Sequence, residues 1–389
     1  MRNVVSEPRA ESREPGAADA KLIIAASEAD ANLYYATRFL APDPFVFLAH
    51  GPEKLLLISD LELNRARAQA SVDSVLAIRE YENRAKTAGI ERPTVTDALF
   101  ELLKERGVHS LLVSGSFPVE HADKLRGRGI TIHVKSDPFF EERLVKLPPE
   151  VQAIAEAMRR AEEAMHAAIS AIRQAEVRDG VLWWHGEILT SEVVKRLIAR
   201  QLLDEGLIAQ HTIVACGENG CDPHNEGSGP LRAGQAIIID MFPRDLTSRY
   251  YADITRTVVK GRAPDTLWRM YDAVLAAQEC ALRLVRDGAD AEAIHGEVQR
   301  SLEERGFQTD EINGKMQGFF HGTGHGVGLE VHELPRISKV KTTLRSGNVV
   351  TVEPGLYYPG VGGIRIEDVV VVTETGCQNL TTFPKTLEV

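Results

Sequence analysis

Cysteine is scarce in this chain, which has four cysteines among 389 residues and no regular spacing between them. Small secreted domains that depend on disulfide bonds use cysteine far more densely, so a disulfide scaffold is excluded. Sparse and unpatterned cysteine is typical of proteins in a reducing compartment. We therefore expect the protein to be cytoplasmic.

The chain also lacks a long apolar run. No stretch of 18 apolar residues occurs, so a membrane-spanning helix is not expected. Residues 1–20 are polar and rich in Pro, Gly, Ala and Glu, without the apolar core that a signal peptide needs. That composition predicts a disordered tail over residues 1–20.

An excess of positive charge is missing as well. Lys and Arg together number 45 and Asp and Glu 56, which gives a formal net charge of −11. Nucleic acids and anionic membranes select proteins with clustered positive charge. We therefore expect neither a nucleic acid nor a membrane among the partners.

The hydrophobic pattern predicts two domains. Over residues 21–146, short apolar runs alternate with helical patterns, which indicates a small α/β domain. Pro148 and Pro149 interrupt the pattern, and residues 150–389 carry strands and helices in separate runs, which is typical of an α+β domain. The predicted strands cover residues 21–27, 44–50, 54–60, 110–116, 130–136, 211–217, 234–242 and 253–259, and the predicted helices residues 30–39, 94–106, 150–174 and 182–203, with two more in 265–305.

A glycine-rich block near the C-terminus, HGTGHGVGLEVHELP, concentrates histidine. His321, His325 and His332 stand at offsets 0, 4 and 11 in this block. Glycine lets a backbone fold closely against a ligand, and histidine is the commonest side chain for metal binding and proton transfer near neutral pH. The block therefore predicts a ligand or metal site.

Four carboxylates in the same half of the chain lie at the ends or in the middle of apolar runs. Asp240 ends one run and Asp253 opens the next, a separation that fits two neighbouring strands joined by a hairpin. Glu353 ends another run, and Glu367 lies two residues after Arg365, on the same face of a strand. An acid inside an apolar strand is costly unless it is paired or metal-bound, so Glu367 is a candidate ligand, a buried partner of Arg365, or both.

Carboxylates crowded in this way repel one another, and divalent cations remove the repulsion. Any one aspartate at a strand end is more often a turn or cap residue. The ordered set Asp, Asp, His, Glu, Glu instead predicts a pair of divalent ions that generates hydroxide from water. Ligation by many oxygens and one nitrogen favours Mn²⁺ and tolerates Co²⁺ or Zn²⁺.

The chain resembles the M24 metallopeptidases, the "pita-bread" fold shared by methionine aminopeptidase, aminopeptidase P and prolidase. The motifs that carry the resemblance are Asp240, ADITRT around Asp253, HGTGHGVGLEVHE, TVEPG at Glu353 and GIRIED at Glu367. They cover the region from about residue 150 to the C-terminus. The first third resembles the N-terminal domain of the prolidase, aminopeptidase P and creatinase branch. The resemblance implies an α+β fold in which a smaller α/β domain precedes a pita-bread catalytic domain.

The resemblance also implies a role for each site residue. Glu353 would transfer the proton as well as bind metal, and His224 and His332 would contact the scissile carbonyl or the developing oxyanion. His321 and Arg365 would belong to the substrate-binding group, Arg365 by orienting the carboxylates. The implied metal ligands are Asp240, Asp253, His325, Glu353 and Glu367.

The implied activity is hydrolysis of Xaa-Pro bonds, most simply by an Xaa-Pro dipeptidase that acts as a homodimer. A dipeptidase must also bind the proline carboxylate, and Arg336 is a candidate, although it could equally be a solvated loop arginine. Two alternatives stay open: an aminopeptidase P that cuts longer peptides, and a non-catalytic relative that binds peptides.

One segment departs from the family pattern. The first ligand usually reads Asp-x-Gly with the second eleven residues later, whereas here the interval from Asp240 to Asp253 is two residues longer and lacks the glycine. The hairpin tip must therefore differ. Asp245 lies within this tip, and we interpret it as a turn residue rather than a ligand.

Overall fold

The computed structural model describes residues 18–389, so the tail predicted over residues 1–20 lies outside the described residues except for its last three. The chain forms two compact units. The first ends at Phe140 and the second spans Glu141–Val389. Among the helices formed by residues 18–389, none has both the length and the apolar character needed to cross a membrane.

The first unit is a mixed sheet with an apolar core on each face. Its strands have the order β4-β3-β2-β1-β5-β6, and the adjacent strands β1, β2 and β3 are antiparallel. Leu22 and Leu48 pack into one core, whereas Ile23 and Phe47 pack into the other, because successive side chains of a strand point to opposite faces. The elements are β1 (Ala20–Ala25), α1 (Ala31–Thr37), β2 (Phe45–His50), β3 (Glu53–Ile58), α2 (Asp60–Gln69), β4 (Ser74–Ala77), α3 (Ile78–Thr87), α4 (Val95–Arg106), β5 (Ser110–Ser114), α5 (Val119–Arg126) and β6 (Thr131–Lys135).

The second unit opens with a long amphipathic helix. This helix begins at Pro148, where a missing N–H costs nothing, and buries one stripe of Ala, Ile and Met. The elements that follow alternate between short sheets and helices. They are α6 (Pro148–Gln174), β7 (Glu176–Arg178), β8 (Val181–Trp184), β9 (Glu187–Ile188), α7 (Ser191–Asp204), β10 (Leu207–Ile208), β11 (Ile213–Cys216), β12 (Ala236–Met241), β13 (Arg244–Asp245), β14 (Ile254–Val259), α8 (Asp265–Leu284), α9 (Ala291–Glu304), β15 (Asp310–Ile312), β16 (Lys315–Gln317), β17 (Gly324–Gly326), β18 (Glu333–Ile337), β19 (Val349–Val352), β20 (Gly355–Tyr358), β21 (Gly362–Arg365), β22 (Asp368–Val372) and β23 (Cys377–Asn379).

The helix predicted over residues 182–203 is wrong in its first third. Strands β7, β8 and β9 form a small antiparallel sheet there. Asp179–Gly180 and His185–Gly186 both have positive φ, which makes tight hairpin turns and prevents a helix. Helix α7 starts only after Thr190, whose hydroxyl accepts a hydrogen bond from the Val193 N–H.

Three small sheets bring the carboxylates together. Strand β12 pairs antiparallel with both β11 and β14, and strand β19 lies between β17 and β22. Strands β20 and β21 form a separate hairpin. The apolar faces of β19, β21 and β22 pack with helices α8 and α9 into a single core, which fixes the sheets that carry the site.

Candidate metal centre

A cavity of about 740 Å³ in the second unit collects the residues that the sequence singles out. Its walls come from β11, β12, β17, β21 and the segments around them. All ten predicted site residues line it. They are His224, Asp240, Asp253, His321, His325, His332, Arg336, Glu353, Arg365 and Glu367.

The hairpin predicted between Asp240 and Asp253 forms. In the β12–β14 register Asp240 lies opposite Thr255, and Asp253 directly precedes β14. Asp240 and Asp253 are both buried. The two acids thus meet at one end of a strand pair.

Arg365 compensates one of these acids, but not the one nearest in sequence. Its Nη2 donates to Asp240 Oδ2 at 2.6 Å, its Nη1 to Tyr357 Oη at 2.8 Å, and its Nε to Thr255 Oγ1 at 3.4 Å. Glu367 accepts instead from Thr255 Oγ1 at 2.7 Å. Glu367 is therefore not the hydrogen-bonded ion partner of Arg365. Arg365 instead orients Asp240 and Tyr357 through its hydrogen bonds to them.

His325 directs one ring nitrogen, Nε2, at the acids, where it donates to Glu353 when protonated and can bind a metal ion when neutral. Its Nδ1 lies 3.1 Å from the carbonyl oxygen of Gly326, which can only accept, so we assign the proton to Nδ1. Its Nε2 faces the acids, 3.3 Å from Glu353 Oε1 and 3.7 Å from Asp253 Oδ2. The backbone N–H of His325 donates to Thr351 Oγ1, which in turn donates to Glu353 Oε1 at 3.2 Å.

We call Asp240, Asp253, Glu353 and Glu367 the anionic cluster. Burial, together with the charge of Glu367, raises the pKa of Asp253 well above its ordinary value. Burial and the charge of Glu353 likewise raise the pKa of Glu367, and burial raises that of Asp240. Burial also opposes the charge on Glu353, but the hydrogen bond and charge of His325 outweigh it and lower the pKa of Glu353 to about 2.

The donor set of this cluster fits divalent cations. Asp253, His325 and Glu367 each offer a ligand atom within 4.8 Å of the others. Asp240 Oδ1 is buried and has no hydrogen-bond partner within the part of the chain that the structure describes. A buried carboxylate oxygen without a donor is costly, and a bound cation removes that cost. Oxygen donors with one imidazole are also the ligands that such ions prefer.

The three remaining histidines differ in how they are held. Burial lowers the pKa of His321 to about 4, and both ring nitrogens are used within the protein, Nδ1 with the Gly322 carbonyl and Nε2 with Tyr357 Oη at 2.9 Å. His332 lies edge-on to His325, with ring centroids 4.4 Å apart. The side chain of His224 is exposed in the cavity, and the backbone N–H of His224 donates to Asp222 Oδ1.

The longer hairpin tip is anchored away from the anionic cluster. Asp245 accepts from the N–H groups of Thr247 and Ser248 and pairs with Arg160 Nη2 at 2.6 Å, which confirms it as a turn residue. Phe242, at the position of the missing glycine, lines the cavity. It stands two residues after Asp240 and on the same side, so the cavity gains an aromatic wall there.

Sequence reasoning missed Phe242 in the cavity wall, and it missed Tyr357 and Thr255, which hydrogen-bond to residues of that wall. Thr255 could have been found, because it follows Asp253 by two and a strand therefore places both on one face. Tyr357 carried no such signal, because it reaches Arg365 and His321 only through the β20–β21 hairpin.

The model of the metallopeptidase family M24 matches residues 152–374, more than half of the chain. The chain belongs to this family. Its members are metal-dependent peptidases, so the anionic cluster is part of a hydrolase that uses divalent metal ions. The resemblance inferred from the motifs is confirmed.

Relatives of this M24 chain match both units. It is 28% identical over 357 residues to a Xaa-Pro dipeptidase of Pyrococcus furiosus, covering 90% of each chain. The crystal structure of an X-Pro aminopeptidase from Thermotoga maritima superimposes with a TM-score of 0.79 at 26% identity, covering 96% of this chain and 98% of that one. The prolidase from Pyrococcus furiosus superimposes with a TM-score of 0.76, also at 26% identity, over 95% and 97%. The predicted fold class, an α+β catalytic domain preceded by a smaller α/β domain, is confirmed.

Proposed function

We propose that the protein is a Xaa-Pro dipeptidase that binds two divalent ions in the anionic cluster. Mn²⁺ is the ion that we expect it to prefer. The observation that carries the proposal is that four buried carboxylates and His325 share one cavity with His224, His332 and Arg336. Similarity to the dipeptidase of Pyrococcus furiosus across both units supports the substrate class.

Asp240, Asp253, His325, Glu353 and Glu367 would hold the ions. Once bound there, the ions would supply hydroxide at neutral pH and would polarise the scissile carbonyl. Arg365 and Thr255 keep Asp240 and Glu367 turned toward the ions through the hydrogen bonds described above.

Glu353 is suited to transfer the proton. Its Oε1 lies at the cavity wall beside His325 Nε2 and Thr351 Oγ1, so the carboxylate is oriented before substrate arrives. It takes a proton from the attacking water and returns it to the leaving nitrogen. His224 and His332 face the same cavity and donate to the oxygen on which negative charge develops.

This arrangement suits proline substrates for a simple reason. The nitrogen of a bond before proline carries no hydrogen, so a peptidase that grips that hydrogen cannot hold it. The machinery assembled here acts on the carbonyl and needs no N–H of the scissile bond. The leaving secondary amine still requires a proton, which Glu353 returns.

Arg336 decides how much substrate can follow the proline. Its side chain is exposed in the cavity, and within the described residues it makes no hydrogen bond or ion pair. A dipeptide places its terminal carboxylate near the scissile bond, where this guanidinium would bind it. Losing a charged hydrogen bond of about 1.5–3 kcal/mol in Arg336→Ala raises KM for Ala-Pro by roughly 10- to 100-fold, and Arg336→Lys retains part of the binding.

The assay compares Ala-Pro with Ala-Pro-Ala in the Mn²⁺-loaded enzyme. Faster cleavage of the dipeptide, lost on chelation with EDTA and restored by Mn²⁺, supports the proposal. Cleavage of the tripeptide alone overturns the dipeptidase assignment and indicates an aminopeptidase, like the Thermotoga maritima enzyme on which the chain also superimposes. Failure to cleave either peptide overturns the proposed Xaa-Pro substrate class.

We further propose a homodimer and a cytoplasmic location. The dimer follows from the resemblance to the prolidase branch, and the location from the scarcity of cysteine. Light scattering of the purified protein and fractionation of cells test them directly.

A further inference from the structure

We define residues 326–333 as the histidine loop. A second group of buried charges forms at the end of this loop. Glu333 is buried, and its carboxylate contacts Lys146 Nζ at 2.9 Å and Arg143 Nη2. Arg143 also pairs with Glu330 at 2.8 Å. We call Arg143, Lys146 and Glu333 the ion-paired cluster. Burying such charges is costly and contributes little net stability, so stability alone does not account for the ion-paired cluster.

The ion-paired cluster fixes the histidine loop from one side. Glu333 Oε1 accepts the N–H of Glu330 at 3.1 Å, which closes the loop on itself. Gly328 passes so close that an added Cβ would lie 2.5 Å from Glu333 Oε2. Strand β18 begins at Glu333, opposite Gly326, and therefore ties this carboxylate to the strand that carries His325.

His332 is the residue that depends on this anchor. It directly precedes Glu333 and lines the cavity, while Glu333 contacts Lys146 and Arg143. No hydrogen bond fixes the ring nitrogens of His332 within residues 18–389, and its ring approaches that of His325 edge-on. The position of the imidazole thus rests on its backbone, which the ion-paired cluster holds.

We propose that Glu333, held by Lys146 and Arg143, is a positioning residue that places His332 at the reacting carbonyl. The proposal rests on the peptidase function proposed above. Glu333 itself does not touch the substrate and acts only through the neighbouring imidazole.

A double-mutant cycle tests this coupling. Glu333→Gln, His332→Ala and the double variant are compared with wild type for kcat and KM on Ala-Pro, each loaded with Mn²⁺. By analogy with the outer-shell partners of catalytic groups, Glu333→Gln lowers kcat by about 10- to 100-fold, with KM little changed because ground-state binding is kept. With His332 already absent, the same change lowers kcat by less than about 2-fold.

The matched control is Glu330→Gln, which removes an exposed carboxylate from the same loop and the same arginine. It leaves kcat within about 2-fold of wild type. Where Glu333→Gln does not fold, Glu333→Asp keeps the charge but shortens its reach, and the cycle is repeated with it. Lys146→Arg keeps the cation and preserves most of kcat.

Two results overturn the proposal. One is a folded Glu333 variant with wild-type kcat, and the other is an equal loss of kcat whether or not His332 is present, which indicates a general structural role. Wild type inactive on both Ala-Pro and Ala-Pro-Ala marks failure of the proposed function instead, so the two failures are distinguishable.

Discussion

The anionic cluster and the ion-paired cluster bury carboxylates in the same unit, with opposite electrostatic consequences. Burial opposes the charge of Glu333, but Lys146 and Arg143 outweigh it and lower its pKa. Asp253 and Glu367 meet burial together with other carboxylates, and their pKa values rise. The protein therefore supplies its own cations to the ion-paired cluster. Most of the negative charge of the anionic cluster is left for bound cations to compensate.

This contrast separates Glu333 from Asp253 and Glu367 better than burial does, whereas the pKa of Glu353 is lowered like that of Glu333 because His325 compensates its charge. Both Glu333 and Glu367 are nearly inaccessible to solvent. Only the direction of the pKa change distinguishes them, because it reports whether neighbours favour or oppose the ionised form. A buried carboxylate that its own protein does not compensate is a candidate metal ligand.

The largest expected effect comes from changing the anionic cluster. Glu353→Ala removes the proton-transfer group, so kcat for Ala-Pro falls by roughly 10²- to 10⁴-fold. The fold is retained because the lost charge was not needed to neutralise a fixed cation. Steady-state kinetics and circular dichroism measure the two effects, and near-normal turnover would remove Glu353 from the role assigned to it.

Removing a cation from the ion-paired cluster should also lower the stability of the fold. Lys146→Met leaves Glu333 buried with one cation fewer, which destabilises the protein by about 3–5 kcal/mol. Lys104→Met is the matched control, since Lys104 pairs with Glu101 near the surface, and such a pair contributes only about 0–1 kcal/mol. Urea unfolding measures both, and equal losses would contradict the contrast.

Part of the anionic cluster could be predicted from sequence, and the reason is local. Asp240 and Asp253 end adjacent strands of one hairpin, so the pattern of apolar runs suffices to bring them together. The sheet at β7 to β9 was missed although Asp179–Gly180 is a hairpin signal, because the apolar residues after it also fit a helix.

The rest depends on contacts between distant residues. Arg365 pairs with Asp240, 125 positions away, rather than with Glu367 two positions away. Lys146 meets Glu333 across 187 positions, and no local pattern encodes that meeting. Periodicity predicts which face a side chain occupies but not which face of another element it will contact.

Manganese binding should separate the anionic cluster from the ion-paired cluster by its effect on the free energy of unfolding. Adding Mn²⁺ at about 100 times its dissociation constant stabilises the metal-free wild type by roughly 2.7 kcal/mol. Asp253→Asn abolishes this gain, because a ligand is lost, and does not destabilise the metal-free protein, because one of several repelling charges is gone. Glu333→Gln keeps the gain. Thermal unfolding with and without Mn²⁺ checks all three, and a full gain in Asp253→Asn would exclude Asp253 as a ligand.

The smallest effect is a pH dependence confined to the ion-paired cluster, where Lys146, Arg143 and Glu330 face Glu333. Because the pKa of Glu333 is lower in the folded protein than its ordinary value of 4.5, the unfolded chain binds more protons in the interval between the two. The stability that Glu333 contributes is therefore complete above the ordinary value and is lost as pH falls through the folded value, by at most about 1.4 kcal/mol per pH unit. The free energy of unfolding of wild type minus that of Glu333→Gln, measured in metal-free buffer, isolates this term because other carboxylates titrate in both proteins. The difference should be constant near neutral pH and shrink in acid, and parallel curves throughout the acid range would mean that Lys146 and Arg143 do not hold Glu333 in its charged form.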